Sequence, residues 1–334
     1  MNFMYSPIMM LSSLTLILST LMALSSANWI LLWGAMELNL LSFIPIMMQT
    51  KSNQETEGSV KYFLAQALGS ALLLMSSTSL WMPFSSMPNI MPLLLTMSIL
   101  LKLGSVPCHF WYPSVMSSIS WVSCLILSTW QKLAPLSIMA FILPMKNMSI
   151  IMLMAGLNAL VGGFMGMNQS QMRTIMAYSS IGHIGWMLSM LVMYKPNASI
   201  TYFLIYSVLI TPLFMSMMYF NINSIKQMNK VPSSDSSTHL TMITLLLSLG
   251  GLPPLTGFMP KLMTMLLLVE SMKIVLLMLV IGSIMNLFFY LNICITMLFS
   301  SPSSPTLKSS NIRTKPLIVS LATLSLGLSP IIMM

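Results

Sequence analysis

Four charged side chains lie inside segments that are otherwise hydrocarbon: Glu37 in NWILLWGAMELNLLSFIPIMM, Lys102 in SILLKLGSVP, Lys132 in LSTWQKLAPLSIM and Lys261 in GFMPKLMTM. A charge buried in hydrocarbon costs about 2.5 kcal/mol or more, so such residues are rare and usually functional. Their types define a chemistry. Burial favours the neutral form of a carboxyl or an amine, and an opposite charge nearby restores the charged form. A carboxylate and an amine that approach and separate therefore trade a proton. Glu37, halfway through its segment, fits either a proton exchanger or a counter-ion to a lysine; an ion pair that merely locks two helices is the alternative. Lys102 is too far from a segment end to snorkel to an interface. Lys132 is also central, and Pro135 beyond it frees backbone carbonyls that can bind an ammonium or water. Lys261 is nearer a segment end, so snorkelling competes with function there. His183, in SSIGHIGWML, titrates near neutral pH and suits a relay; the same position fits a packed core histidine equally well. Tyr178, Ser179 and Ser180 beside it either hydrate the region or serve as helix contacts. Taken together, Glu37, Lys102, Lys132, His183 and Lys261 suggest a titratable row running sideways through an apolar bundle.

The elements that must hold this row follow from composition. The chain has 334 residues, 56% hydrophobic and only 6% charged, against roughly 25% charged in a soluble domain. Its apolar runs are about 20 residues long and lack the two-residue alternation of a barrel strand. The expected fold is an all-α polytopic membrane protein with eleven spans, near 7–25, 28–48, 58–81, 88–117, 119–143, 147–167, 170–193, 198–222, 238–269, 272–299 and 315–333. With the N-terminus on one side, eight basic residues (Lys51, Lys61, Arg173, Lys226, Lys230, Lys308, Arg313 and Lys315) share that side. Lys146, Lys195 and Lys273 fall opposite. The positive-inside rule then predicts a matrix or cytoplasmic N-terminus and a C-terminus on the other face.

Two spans are overlong and interrupted, the fourth by LKLGSVPCHFWYP and the ninth by LSLGGLPPLTGFMP. Both contain L-x-L-G-x-x-P, at Leu101–Pro107 and, 146 residues later, at Leu247–Pro253. The break residues are Gly104 and Pro107 in the first copy and Gly250, Gly251, Pro253 and Pro254 in the second. Each broken span is the fourth of five, in 7–143 and 147–299. An odd number per set makes the two sets inverted repeats within a single membrane domain, 1–334, with 315–333 added. A kink for packing explains one break; matched breaks in matched spans point to a transport path. The Gly162-x-x-x-Gly166 pattern reads as packing.

Other classes are excluded. The net charge of +9 is scattered, with no basic run or Arg-rich face, so no nucleic-acid partner is expected. Three cysteines without C-x-x-C spacing and three histidines supply no framework for iron–sulfur, zinc or haem, and no glycine-rich nucleotide loop is present. Redox chemistry, if coupled to this chain, belongs to a partner. The apolar N-terminal stretch has no basic leader and reads as the first span. Forty methionines exceed anything packing demands and fit the codon bias of animal mitochondrial genomes.

Six stretches carry a resemblance: ELNLLSFIPIM (37–47), VKYFLAQALGS (60–70), LKLGSVPCHFWYPSV (101–115), WQKLAPLSI (130–138), MRTIMAYSSIGHIGWM (172–187) and GGLPPLTGFMPK (250–261). In this order the chain resembles the antiporter-like, proton-translocating membrane subunits of NADH:ubiquinone oxidoreductase, respiratory complex I. The resemblance implies two inverted five-helix repeats with broken helices, in a multi-pass protein of the mitochondrial inner membrane. It implies pairing of Glu37 with Lys102, a connecting role for Lys132 and a terminal role for Lys261. It places no cofactor in this chain, with FMN, iron–sulfur clusters and ubiquinone in or near other subunits. The implied partners are other membrane-arm and accessory subunits and membrane lipids such as cardiolipin. Two positions depart from the family pattern: Cys108 stands where relatives commonly have Phe, and Ser114 where many have an acidic residue. The alternatives are a stand-alone cation/proton antiporter and a structural subunit without its own proton path.

Overall fold

The computed structural model describes residues 7–49, 52–81, 90–142, 148–230, 236–253 and 255–299. The expected span 315–333, the stretch 300–314 and Pro254 lie outside the described residues. Helices account for the described chain almost entirely: α1 Pro7–Ser25, α2 Trp29–Met47, α3 Asn53–Trp81, α4 Ile90–Leu103, α5 Trp111–Ser118, α6 Trp121–Ser128, α7 Trp130–Ile142, α8 Met148–Met167, α9 Met172–Val192, α10 Pro196–Tyr219, α11 Ser236–Gly250, α12 Phe258–Val269 and α13 Lys273–Leu298. Eight segments among the described residues are long and apolar enough to cross a membrane, α6 and α7 together forming one of them. The remaining helices pair across the two anticipated interruptions.

Local sequence explains the boundaries. Ser52 caps α3, its Oγ accepting from the Glu55 amide at 3.3 Å. At 29 residues, α3 is about 43 Å long at 1.5 Å per residue. It overruns a hydrocarbon layer of about 30 Å, which lets its first turns carry the exposed Glu57–Lys61 pair. Pro196 opens α10 at its first position, where its missing N–H costs nothing.

At the first interruption α4 ends on Gly104, whose φ of +70° is left-handed and therefore suits glycine. At the second the left-handed residue is Gly251, φ +84°. The shared motif aligns Gly104 with Gly250, so the turn comes one residue later than the motif predicts, and Gly250 closes α11. The expected continuous fifth span, 119–143, is instead two helices. Thr129 separates α6 from α7 at φ −113°, ψ −75°, and the Lys132 amide bonds back only three residues, to the Thr129 carbonyl at 3.2 Å.

The chain divides into two compact units, Met1–Met154 and Ala155–Met334. In the first, α1 packs on α2 and α7, and α3 packs on α2, α4 and α5. In the second, α9 touches α10, α12 and α13. Every residue of α9 but Arg173 and Tyr178 is buried. Small residues let the helices of this unit close on one another. A Cβ on Gly162 would stand 2.6 Å from the Tyr178 carbonyl and 2.8 Å from the Gly182 nitrogen. The Gly162/Gly166 pair thus serves packing, as its sequence spacing suggests.

Candidate functional site

Lys102 and Lys132 line one small cavity in the first unit. Asn39 of α2, Tyr62 and Gln66 of α3, Trp111 and Tyr112 of α5 and Gln131 of α7 complete its polar wall. About 20 Å³ of it is open to water centres, room for about one or two waters. Both lysines are deeply buried, Lys102 at 6% and Lys132 at 2% exposure. The Lys132 ammonium lies 5.1 Å from the centroid of the Tyr112 ring, a cation–π distance.

The end of α4 shows why Lys102 projects where it does. Helix ends leave orphan carbonyls that need donors. The Leu100 carbonyl accepts from the Ser105 amide at 3.0 Å and from Ser105 Oγ at 2.9 Å. That of Leu101 accepts from the Gly104 amide and from Trp111 Nε1, both at 3.1 Å. Gln66 Nε2 donates to the Lys102 carbonyl at 3.1 Å. Neutral donors thus close this helix end. Gln66→Leu is expected to orphan the Lys102 carbonyl and to cost about 1–3 kcal/mol, read as a lower thermal-unfolding midpoint in membranes, with Gln66→Glu failing likewise for want of a donor.

The remaining wall is a hydrogen-bonded amide pair. Gln131 Nε2 donates to Asn39 Oδ1 at 2.9 Å, and the Tyr62 hydroxyl lies 3.5 Å from Gln131 Oε1. Sequence reasoning passed over Asn39, Tyr62, Gln66 and Gln131. The available signal was the one that flagged the charges, since amides in apolar spans also need a reason to be there.

Glu37 sits half-buried on α2 and does not line the cavity. The only ion pair within 4.0 Å joining two described residues is Lys61–Glu57. The direct Glu37–Lys102 pair implied by family resemblance is therefore absent from this conformation. Ser114, the departure from the family's acidic residue, turns its hydroxyl onto the Trp111 carbonyl at 2.8 Å.

In the second unit Lys261 is buried to 2% exposure, which overturns snorkelling. Its ammonium donates to the Gly250 carbonyl at 2.8 Å and approaches that of Leu249 at 3.4 Å. Those carbonyls are the negative end of α11, a natural cation seat. Gly251 suits the place beside it because its φ of +84° is left-handed, a conformation any side chain would strain. His183 is buried on α9, with Nδ1 2.8 Å from the Tyr202 hydroxyl of α10 and its ring 5.0 Å from that of Tyr206. Of the break residues, Gly104 and Gly251 adopt left-handed backbone, Pro107 follows a cis peptide bond, and Pro253 lies between α11 and α12.

Each unit holds an interrupted helix and at least one buried lysine. A family model described as NADH:quinone oxidoreductase/Mrp antiporter, TM, matches residues 26–286. The chain belongs to this family. It is 66% identical over 335 residues to the NADH-ubiquinone oxidoreductase chain 2 of Lumbricus terrestris, covering 100% of both chains. It is 40% identical to the same-named chain of Lemur catta, covering 97% of each. A chain of respiratory complex I from Thermus thermophilus with bound aureothin superposes with a TM-score of 0.86 at 22% identity, over 96% of this chain and 77% of that one. A chain of the Mrp complex from Dietzia sp. DQ12-45-1b gives 0.79 at 16% identity, over 96% and 74%. At such identities the structural matches establish the shared fold.

Proposed function

We infer that the chain is a core membrane-arm subunit of mitochondrial NADH:ubiquinone oxidoreductase, contributing to the proton translocation that accompanies electron transfer. Full-length similarity to two animal chains named for that enzyme supports this reading. The observation that carries its chemistry is the shared cavity of Lys102 and Lys132. Two amines facing one wet space can exchange a proton through water, and removing charge from one favours charge on the other. In this reading Glu37 biases Lys102 through space, and a closer approach would complete the pair. Lys132, His183 and Lys261 continue the row. Moving one charge against 100 mV costs about 2.3 kcal/mol, so redox chemistry in other subunits, with their FMN, iron–sulfur clusters and ubiquinone, supplies the work.

The same reading places the chain in the mitochondrial inner membrane, N-terminus in the matrix and C-terminus opposite, following its basic residues. The five-helix sets act as inverted repeats, which the broken fourth helix of each supports. Other membrane-arm and accessory subunits and lipids such as cardiolipin are its partners.

Lys102→Met tests the reading. The neutral side chain fills much of the same space, and the bonds that close the end of α4 are all made by other groups. We expect an assembled enzyme whose proton-coupled NADH:quinone turnover falls roughly tenfold, equal to about 1.4 kcal/mol on the barrier. Full pumping by the assembled variant refutes it. One observation favours a structural role for one member of the row: the Lys261 ammonium caps α11.

A further inference from the structure

The amide pair beside the two lysines joins helices whose main neighbours are others. In the first unit α2 packs on α1 and α3, and α7 packs on α1, α4 and α6. Between them, Gln131 Nε2 of α7 donates to Asn39 Oδ1 of α2 at 2.9 Å. The Tyr62 hydroxyl, 3.5 Å from Gln131 Oε1, suits this orientation of the amide, because a phenol O–H donates to a carbonyl oxygen.

This bond bears on how α2 is turned about its axis. Met36, Asn39 and Leu40 line the cavity, at the three- and four-residue spacing of one helix face. Glu37 is two residues from Asn39, about 200° around the axis. It is half-buried and does not line the cavity. Turning α2 to bring Glu37 toward the cavity therefore carries Asn39 away from Gln131. The other end of the bond stands on a turn with few backbone ties. α7 begins after the break at Thr129, where the Lys132 amide bonds back only three residues, at 3.2 Å. Pro135, inside α7, has no N–H to offer the Gln131 carbonyl four residues earlier. The Gln131 side chain thus supplies a restraint that the local backbone does not.

We propose that Asn39 and Gln131 are positioning residues, a latch whose amide bond holds α2 in the rotation that turns Glu37 away from Lys102. Parting of the two amides frees α2 to turn and the carboxylate to approach the amine. A pair that forms out of turn keeps the lysine charged, so the latch sets when Lys102 is free to give up its proton. The proposal rests on the proton-translocating reading above and names what keeps its first two charges apart.

The test uses the assembled complex in sealed membranes. Asn39→Leu combined with Gln131→Met removes both partners at similar volume, a change that leaves stability nearly unaltered. Loss of one such bond shifts the balance between two arrangements roughly fivefold. Coupled NADH:quinone turnover should fall roughly threefold or more, and a high-resolution map of the variant should show the Glu37 carboxylate in contact with the Lys102 amine, which a merely structural role would not bring about. Lys102→Met is assayed alongside. If it stalls pumping while the double variant keeps wild-type turnover, or keeps Glu37 in its wild-type place, the latch is overturned and the wider reading survives. If Lys102→Met pumps normally, the wider reading fails and the latch with it. Should the double variant not assemble, maps of the wild-type complex during turnover decide. Glu37 in contact with Lys102 only where Asn39 and Gln131 have parted supports the latch. Both contacts together, or no Glu37–Lys102 contact in any state, overturn it.

Discussion

Replacing Gly282 with leucine is expected to abolish accumulation of the chain in its membrane. Gly282 lies on α13 against α8, and a Cβ there would overlap the Ala159 carbonyl and stand 2.8 Å from the Ala159 Cβ. The nearest atoms are backbone, which cannot rotate aside as a flexible side chain would. From the other helix, a Cβ on Gly163 would reach the Gly282 carbonyl at 2.9 Å, so neither partner has slack. Overpacking of a core commonly costs about 1–3 kcal/mol; here three extra carbons would follow a Cβ that already does not fit. Membrane helices associate largely through close backbone approach, so prying α8 from α13 removes the contact itself. Ile284→Leu, two residues along on a 59% exposed side chain, is the control expected to leave accumulation unchanged. Immunodetection of the assembled complex reads both.

Lys261→Met is expected to damage both structure and turnover, and Lys261→Arg separates the two. Methionine leaves the Leu249 and Gly250 carbonyls without their cation, a loss of about 1–3 kcal/mol for each buried acceptor left unsatisfied. Assembly should fall several-fold, and coupled turnover of what remains by roughly tenfold or more. Arginine restores a cation to the end of α11 but keeps its proton at every accessible pH. Assembly should recover in the arginine variant while coupled turnover stays low, as measured by proton uptake per NADH oxidised. Normal pumping by the arginine variant would reduce Lys261 to a helix cap.

Glu37, Lys102, Lys132 and Lys261 were conspicuous because a full charge in hydrocarbon is expensive enough to stand out from any background. Asn39, Gln66 and Gln131 are cheaper to bury, so each looks unremarkable until the fold gathers them at one cavity. Gly104 and Pro107 marked the first interruption directly. At the second, Gly250 and Gly251 are chemically identical neighbours, and only the fold shows that Gly251 is the one to take the left-handed turn. The break at Thr129 had no glycine or proline to announce it. Pro135, six residues on, was the nearest disturbance, and the tightened Lys132–Thr129 bond is visible only in three dimensions. Whether Lys261 snorkels depended on which carbonyls α11 leaves open, again a matter of geometry.

The enclosure of α9 bears on how such a chain is made. Its serines, His183 and glycines form a surface suited to other helices, yet during biosynthesis it must leave the insertion machinery before α10, α12 and α13 exist to surround it. For that interval lipid covers the faces those three helices will take. A substitution that adds polarity to α9 can therefore fail at insertion, before there is any finished protein to destabilise. A defect of this kind would appear as a missing nascent chain, whereas the closure faults at Gly282 would appear as a completed chain that is later degraded.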